Sequence, residues 1–134
     1  MIPVNPRMQM KTALLLMAHG SRQAEANDDL YALAQEMRNT GEYAVVEASF
    51  LELAEPSIEA AAAQCVSQGA DRVILLPYFL SAGVHVQRDL QQKRDRLSEA
   101  YARVEFILAQ PLGRHPLLRE IIKQRAREAE DSEI

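Results

Sequence analysis

The sequence predicts an α/β fold, a three-layer α/β/α sandwich built on a four-stranded parallel sheet. Short apolar runs typical of buried strands alternate with longer segments whose apolar residues recur at helical spacing. Strands that alternate with helices pair in parallel through right-handed crossovers, which place helices on both faces of the sheet. The length of 134 residues and the hydrophobic content of 48% fit one domain of this kind.

The first half of the chain predicts two strands and two helices. Residues 13–18 are apolar without alternation, which is typical of a strand buried on both faces. A first helix follows and ends before Gly41, because glycine favours the left-handed turn after a helix. Residues 43–50 are rich in β-forming types and predict the second strand. The second helix begins at about Pro56, ends at Gly69 and presents small residues to the sheet.

The second half repeats the pattern. The predicted elements are a strand at 71–79, a helix at about 86–101, a strand at 103–109 and a helix from near Pro116. The helix at 86–101 has a thin apolar stripe, so most of its surface is expected to face water. The domain is expected to cover residues 12–126, between a flexible N-terminal extension at 1–11 and a charged tail at 127–134 that frays.

Composition and charge exclude several classes of function. The balance of 15 Lys+Arg against 19 Asp+Glu leaves no basic stripe, and an aromatic content of 5% without tryptophan provides no stacking platform, so nucleic acid is not an expected partner. No apolar run approaches the about 20 residues that cross a bilayer, and residues 1–11 lack the apolar region of a signal peptide. We therefore expect no membrane association and a cytoplasmic location. Because Cys65 is a single cysteine, metal chemistry must use histidine and carboxylate.

Three chemically active side chains follow the first three predicted strands. His19 comes directly after the first strand, Glu52 after the second and His85 after the third, each about one strand-helix unit after the last. Ligands of open parallel sheets bind beyond the carboxyl ends of the strands, so these side chains are expected at one edge of the sheet. Two imidazoles and one carboxylate suit a borderline divalent ion such as cobalt, iron or nickel. An ordinary interpretation of each residue alone, a loop or capping histidine and a solvated carboxylate, stays open.

Further groups in the same loops could contact a ligand. Ser21 and Arg22 provide a hydroxyl, N–H groups and a positive charge for an anion at a helix start, although a serine cap beside a surface arginine explains them equally well. Gly20 and Gly83 are expected to allow sharp turns and close approach of a ligand to the main chain. The sequence contains neither the phosphate-loop pattern nor Gly-x-Gly-x-x-Gly, which removes the main support for ATP or dinucleotide binding.

Three other residues have structural interpretations. Cys65 lies on the apolar stripe of its helix and is expected in the core. His115 precedes Pro116 and is expected to cap the last helix. Phe79 ends a strand under the proposed site, where it is expected to form an apolar floor.

Four motifs carry a resemblance to a known family. They are Leu-Met-Ala-His-Gly-Ser-Arg at 16–22, Phe-Leu-Glu at 50–52 with Pro-Ser-Ile at 56–58, Leu-Pro-Tyr-Phe-Leu-Ser-Ala-Gly-Val-His-Val at 76–86 with Asp89, and Pro-Leu-Gly at 111–113 with His115 and Pro116. In this order and spacing they resemble the small CbiX/SirB family of sirohydrochlorin chelatases, from Thr12 to about Ala126. Residues 1–11 have no counterpart in the resemblance, and the histidine-rich segment of some relatives is missing from the sequence.

The resemblance implies a class II, ATP-independent chelatase. Such enzymes insert Co²⁺ or Fe²⁺, or Ni²⁺ in archaeal relatives, into sirohydrochlorin in cobalamin or siroheme biosynthesis. The family fold implies the strand order 2-1-3-4, which places the strands before His19 and His85 side by side. These residues would be the paired metal-site histidines and Glu52 their acidic partner, with no cofactor beyond the substrate metal.

The same resemblance implies substrate contacts and a partner. Sirohydrochlorin carries many carboxylates, so Ser21 and Arg22 are expected to contact its periphery, while Phe79, Ser81 and Gly83 line its cleft. Larger relatives resemble two such domains in one chain, and two-fold dimers are the commonest homo-oligomers, so a homodimer is expected. A different class of function stays open, a non-catalytic metal-binding or metal-delivery module on the same fold.

Overall fold

The computed structural model describes residues 10–132 and confirms the predicted order of strands and helices. Strands β1 to β4 are Thr12–Ala18, Val45–Phe50, Arg72–Pro77 and Glu105–Leu108, and helices α1 to α4 are Ala24–Thr40, Ile58–Ser67, Val84–Ala100 and Leu117–Asp131. The strands form one sheet in the order β2-β1-β3-β4, and all neighbouring strands pair in parallel. The predicted fold class and the implied strand order are therefore confirmed.

Strand β1 lies at the centre of the sheet and is buried on both faces, as its apolar run predicts. Ala13, Leu15 and Met17 belong to the core on one face, and Leu14 and Leu16 to the core on the other. The alternation follows from the two-residue period of a strand. After Thr12, which begins the strand, β1 has no polar residue before its carboxyl end.

The helices cover the two faces unequally. On one face, α2 buries small residues, Ala61, Ala62 and Cys65, and α3 adds Leu90 and Leu97. On the other face, α1 packs against β1 and β2. The small-residue contact of α2 and the mostly exposed surface of α3 are both confirmed.

Helix α4 contributes no buried residue and makes no extended contact with another element of the described chain. Its exposed apolar residues are Leu117, Ile121 and Ile122. On the α1 side of the sheet, Ile74 and Leu76 of β3 are half-buried and Ile107 of β4 is exposed. The chain therefore presents an apolar helix and an apolar sheet surface that do not cover each other.

The predicted start of one helix is wrong, and the structure adds detail near both ends of the predicted domain. Helix α3 begins at Val84 rather than at about 86, so His85 lies in its first turn and not in a loop. Residues 127–131 continue α4, which therefore runs past the predicted domain end at residue 126, and the fraying of this tail stays a prediction. Lys11, the last residue of the predicted extension, contacts the domain, since its backbone N–H donates to Asp71 Oδ2 at 3.1 Å. Residues 1–9 and 133–134 lie outside the described residues, so the prediction for them stays a prediction.

Within residues 10–132, no helix combines the length and the apolar character that crossing a membrane requires.

Candidate functional site

Hydrogen bonds beyond the ends of β1 and β2 bring His19 and Glu52 side by side. The Leu51 N–H donates to the Ala18 carbonyl at 2.9 Å, and the Glu52 N–H donates to the His19 carbonyl at 3.0 Å. The parallel ladder thus continues one step past the strands, to two residues whose side chains are exposed. Of the three predicted metal ligands, these two are brought together by the backbone itself.

Gly20 makes the close approach of these two loops possible. Its φ is 97°, and a Cβ at this position would lie 1.8 Å from the Glu52 carbonyl oxygen. Only glycine fits such a position without moving the backbone. The expected sharp turn at Gly20 is confirmed.

Gly83 behaves differently from Gly20. Its φ of -66° is accessible to any residue, and an added Cβ would meet no atom within 4 Å. The expectation of a sharp glycine turn is therefore wrong here. Gly83 instead precedes α3 as its N-cap residue, in open space that a ligand can enter.

A cavity of about 210 Å³ lies at the carboxyl edge of the sheet. Its lining residues are His19, Leu51, Glu52, Val86 and Asp89. Two of them are apolar, while the other three carry an imidazole and two carboxylates. Imidazole and carboxylate are donor types that borderline divalent cations accept, but these three side chains do not converge closely enough to hold an ion.

The imidazole of His19 packs on the ring of Phe79. The ring centroids are 4.6 Å apart and the planes are inclined by 29°. Phe79 is half-buried and packs against the core, so it supports the histidine from below. Phe79 lies two residues beyond the end of β3 at Pro77, rather than at the end of a strand as predicted, and its contact with substrate stays a prediction.

The loop after β4 braces the loop that contains Phe79. The Leu112 N–H donates to the Phe79 carbonyl at 3.1 Å, and a Cβ at Gly113 would lie 1.7 Å from the Leu80 carbonyl oxygen. His115 caps the following helix as predicted, because its Nδ1 accepts a hydrogen bond from the Leu117 N–H at 3.2 Å. The backbone at Leu112 and Gly113 therefore has a structural part in the site, whereas His115 contacts only the start of α4.

Asn27 of α1 fixes the loop that contains Ser21. Its side-chain oxygen accepts from the Ser21 N–H at 2.9 Å, and its Nδ2 donates to the Ser21 carbonyl at 2.8 Å. The Ser21 Oγ also accepts from the Gln23 N–H at 3.1 Å. Two N–H groups of the expected anion site are therefore engaged within the loop. The hydroxyl hydrogen of Ser21 and the exposed guanidinium of Arg22 are the groups left for an anion.

The third predicted ligand, His85, is exposed in the first turn of α3 and does not line the cavity of His19 and Glu52. Ser81 is exposed in the preceding loop. In the part of the chain that the structure describes, no three His, Cys, Asp or Glu side chains converge closely enough to hold a metal ion. The site of His19, Glu52 and His85 together stays a prediction.

Cys65 takes no part in this edge of the sheet. It is fully buried on α2, as predicted, and burial raises the pKa of its thiol to about 12. A thiol in this state is neutral at physiological pH and a poor ligand.

Comparison with known proteins identifies the family. The sequence profile of the CbiX family matches residues 13–129. The chain belongs to the CbiX family. It is similar to the sirohydrochlorin cobaltochelatase of Priestia megaterium, with 34% identity over 92% of this chain and 40% of the relative, and to that of Sulfolobus acidocaldarius, with 33% identity over 87% of this chain and 90% of the relative.

A solved structure supports the assignment. The sirohydrochlorin chelatase SirB from Bacillus subtilis subspecies spizizenii, in complex with cobalt, superposes with a TM-score of 0.81 and 29% identity, over 89% of this chain and 51% of SirB. Other matched relatives carry the name sirohydrochlorin ferrochelatase. The chain spans between 40% and 50% of the length of three curated relatives that it matches.

Sequence reasoning assigned no role to three residues at this CbiX-family site. Asn27 could not be paired with Ser21 from spacing alone, because a loop contact with a helix depends on where the helix enters. Gly113 follows a proline and a leucine and gave no sign of the Leu80 contact. Asp89 did carry a signal, since it lies four residues after His85 and shares its helical face.

Proposed function

We propose that this chain inserts a divalent metal, Co²⁺ or Fe²⁺ or also Ni²⁺, into sirohydrochlorin without ATP, in the cytoplasm, as a step of cobalamin or siroheme biosynthesis. The observation that carries the proposal is the pair His19 and Glu52, held side by side on a cavity at the carboxyl edge of the sheet. The names of the curated relatives support the same substrate and, of these metals, cobalt and iron.

The chemistry requires groups that bind a metal weakly and accept protons. Insertion replaces two pyrrole N–H protons by one divalent ion, so two protons must leave for basic groups or water. Imidazole and carboxylate bind borderline ions and also accept protons. His19 and Glu52 provide one group of each kind, and His85 provides a second imidazole from the start of α3.

The macrocycle would lie over the exposed edge of the sheet that is formed by the loops after β1 and β3. The ring of Phe79 holds the His19 imidazole from below, while Ser81 and Gly83 leave open space above the loop. A flat ligand needs such an accessible surface. Ser21 and Arg22 would bind its peripheral carboxylates through a hydroxyl and a guanidinium.

The decisive experiment follows the absorption spectrum of sirohydrochlorin on addition of purified protein and Co²⁺ or Fe²⁺ under anaerobic conditions. We expect metal insertion faster than the reaction without protein. His19→Ala and His85→Ala should each abolish or severely reduce the rate, and Glu52→Gln should reduce it less. His115→Ala is the matched control, because this histidine caps α4, and it should keep the rate. Full activity of both histidine variants, His19→Ala and His85→Ala, with native circular dichroism would contradict the assignment.

A non-catalytic metal-binding or metal-delivery module is the second candidate. It is favoured by the exposure of His19, Glu52 and His85, which suits exchange of an ion with a partner. Calorimetry with Co²⁺ and with sirohydrochlorin separates the two. Binding of the metal without binding of the tetrapyrrole would favour the module.

We further propose that the working unit is a homodimer. Helix α4 exposes Leu117, Ile121 and Ile122, and the sheet exposes Ile107 beside half-buried Ile74 and Leu76. Uncovered apolar surfaces of this kind typically mark contact sites. A second copy would cover both surfaces at once and would supply the remaining half of the length found in the larger relatives.

Light scattering coupled to size exclusion tests the dimer. A mass near twice 15.0 kDa supports it, and a mass near 15.0 kDa from a fully active sample contradicts it. Ile122→Glu should shift the protein toward the monomer. Arg127→Glu places the same residue on the opposite face of α4 and is the matched control.

A further inference from the structure

Strands β3 and β4 leave an uncovered slot on the α1 side of the sheet. Helix α1 packs against β1 and β2, and within residues 10–132 no helix makes an extended contact with β3 or β4 on this side. Ile74 and Leu76 of β3 are half-buried there, and Ile107 of β4 is exposed. Two neighbouring strands are together about 10 Å wide, which is about the diameter of one helix. The slot, formed by Ile74, Leu76 and Ile107, therefore has room for a single helix.

Helix α4 matches this slot in length and in polarity. Its 15 residues span about 22 Å, and the 6 residues of β3 span about 20 Å. The apolar residues Leu117, Ile121 and Ile122 lie in its first half, and its last turn, residues 128–131, carries three carboxylates. The strand shows the same change, because Arg72 begins β3 on the same side as the apolar positions of the slot. A helix that runs from the carboxyl edge of the sheet to the amino edge would thus pair apolar with apolar groups and the arginine with acidic groups.

The loop before α4 directs this helix away from the slot of its own chain. The Leu112 N–H donates to the Phe79 carbonyl, and Gly113 lies so close to the Leu80 carbonyl that a Cβ would be 1.7 Å from its oxygen. His115 then caps the first turn of α4 through its Nδ1. The helix that follows makes no extended contact with another element of the described chain. A return of α4 onto its own sheet would require this turn to open.

We propose that α4 of one copy occupies the slot of a second copy, which returns its own α4 in the same way. Exchange of an identical element is a low-cost route to a two-fold dimer. A second copy is the partner that fits, because this chain spans 40% of one curated relative and 51% of SirB. The inference rests on the homodimer of the proposed function and specifies which surfaces join the two copies. Since each α4 begins at the carboxyl edge of its own sheet and enters the slot at the partner's carboxyl edge, both candidate sites would lie on the same side of the dimer.

Chemical cross-linking of the double variant Ile107→Cys/Ile122→Cys tests the exchange. Cys65 is buried and burial raises the pKa of its thiol to about 12, so a bis-maleimide with a short spacer should join only the two introduced thiols. We expect the main product on a denaturing gel at twice 15.0 kDa, with residue 107 linked to residue 122 in its peptides. The matched control is Ile107→Cys/Arg127→Cys, which places the second thiol on the opposite face of α4 and should lose the link.

Three results of this experiment overturn the inference. A link between residues 107 and 122 in a product of 15.0 kDa means that α4 covers its own sheet. Main products that link 107 to 107, or 122 to 122, mean that the copies join through other surfaces. A folded dimer that forms no link means that something else fills the slot. Each result leaves metal insertion and the mass by light scattering untouched, so failure of the exchange is distinguishable from failure of the proposed function.

A glycine insertion between Gly113 and Arg114 gives a second test that leaves both surfaces unchanged. A longer and more flexible loop allows α4 to fold back onto its own sheet, so the mass should fall from the dimer to near 15.0 kDa with native circular dichroism. The matched control is the same insertion between Gly41 and Glu42, in the loop after α1, which should keep the dimer because Gly41 lies in open space. An unchanged dimer after the first insertion would overturn the inference.

Discussion

The two faces of the sheet differ in how completely the chain covers them. On the face of α2 and α3, hereafter the closed face, Leu75 and Val73 of β3 are buried. On the face of α1, hereafter the open face, the next residues of the same strand, Ile74 and Leu76, are half-buried, and Ile107 of β4 is 37% exposed. The side chains of β3 are thus fully buried on the closed face and only half-buried on the open face.

The handedness of the crossovers explains this difference. The connection from β1 to β2 runs in one direction along the sheet, and those from β2 to β3 and from β3 to β4 run in the other. Right-handed crossovers therefore place α2 and α3 on one face and α1 on the opposite face. Helix α4 follows the last strand, so no crossover fixes its position. The open face is where a second copy can complete the core.

The largest expected effect concerns Cys65 on the closed face. Its thiol is fully buried and its pKa is raised to about 12 by burial, so very little thiolate exists at pH 8. Because the thiolate is the reactive form, alkylation by iodoacetamide should be slower than that of a free cysteine by more than about a thousandfold. Mass spectrometry can follow it, since the chain has one cysteine. The control is the chain in guanidinium chloride, which should react at once. Rapid labelling of the native protein would show that the closed face opens.

The next effect is on stability, through Leu75 on the closed face. Leu75→Ala leaves a cavity in a packed core and should lower the free energy of unfolding by about 2–5 kcal/mol. Denaturant unfolding followed by circular dichroism measures it. A cost below about 1 kcal/mol would mean that this face is packed no better than the other.

The neighbouring residue gives the matched test on the open face. Leu76→Ala removes a half-buried side chain, so it should cost only about 1 kcal/mol at low protein concentration. If a second copy covers this face, the cost should grow with protein concentration, because dimer formation then contributes to the folded state. A concentration-independent cost would count against this face as the dimer contact.

The sequence predicted the closed face better than the open one. The continuous apolar run of β1 and the small residues of α2 directly predict burial, and the structure confirms the burial of both. The spacing of the apolar residues Leu117, Ile121 and Ile122 predicted a helix. It did not predict which surface this helix packs against. A periodic pattern fixes the secondary structure, whereas the partner of the apolar stripe depends on tertiary or quaternary contacts.

The candidate site was predictable to a similar extent. Strand periodicity placed His19 and Glu52 at the same edge, and backbone hydrogen bonds hold them there. The start of α3 was misplaced by two residues, which put His85 in a loop instead of a helical turn. Asp89 was seen only in a motif, because its place on the cavity depends on how α3 packs across the sheet.

The smallest expected effect concerns a charged pair between the two helices of the closed face. Lys93 Nζ of α3 donates to Glu59 Oε1 of α2 at 2.7 Å, and this hydrogen bond lowers the pKa of Glu59 from its ordinary value of 4.5. Because the pKa of Glu59 is lower in the folded chain than in the unfolded chain, the pair stabilises the folded state at pH values above 4.5. This contribution disappears as the pH falls through the pKa of Glu59 in the folded state. The Glu59 side chain is 56% exposed, so solvent screening limits the effect. Glu59→Gln should therefore cost no more than about 0.5 kcal/mol at pH 7.

Denaturant unfolding at pH 7 and at pH 3 checks both the size and the sign of this contribution. The difference between Glu59→Gln and the unmodified chain should shrink at pH 3 and in 1 M salt, because protonation and screening each weaken the pair. Lys93→Met should show the same dependence, and Arg125→Met, which loses a pair within α4 alone, is the control for an exposed cation. A cost of Glu59→Gln as large as that of Leu75→Ala would mean that charge, rather than apolar packing, holds α2 and α3 on the closed face. The contrast between the faces would then need a different explanation, since the open face could be stable without an apolar cover.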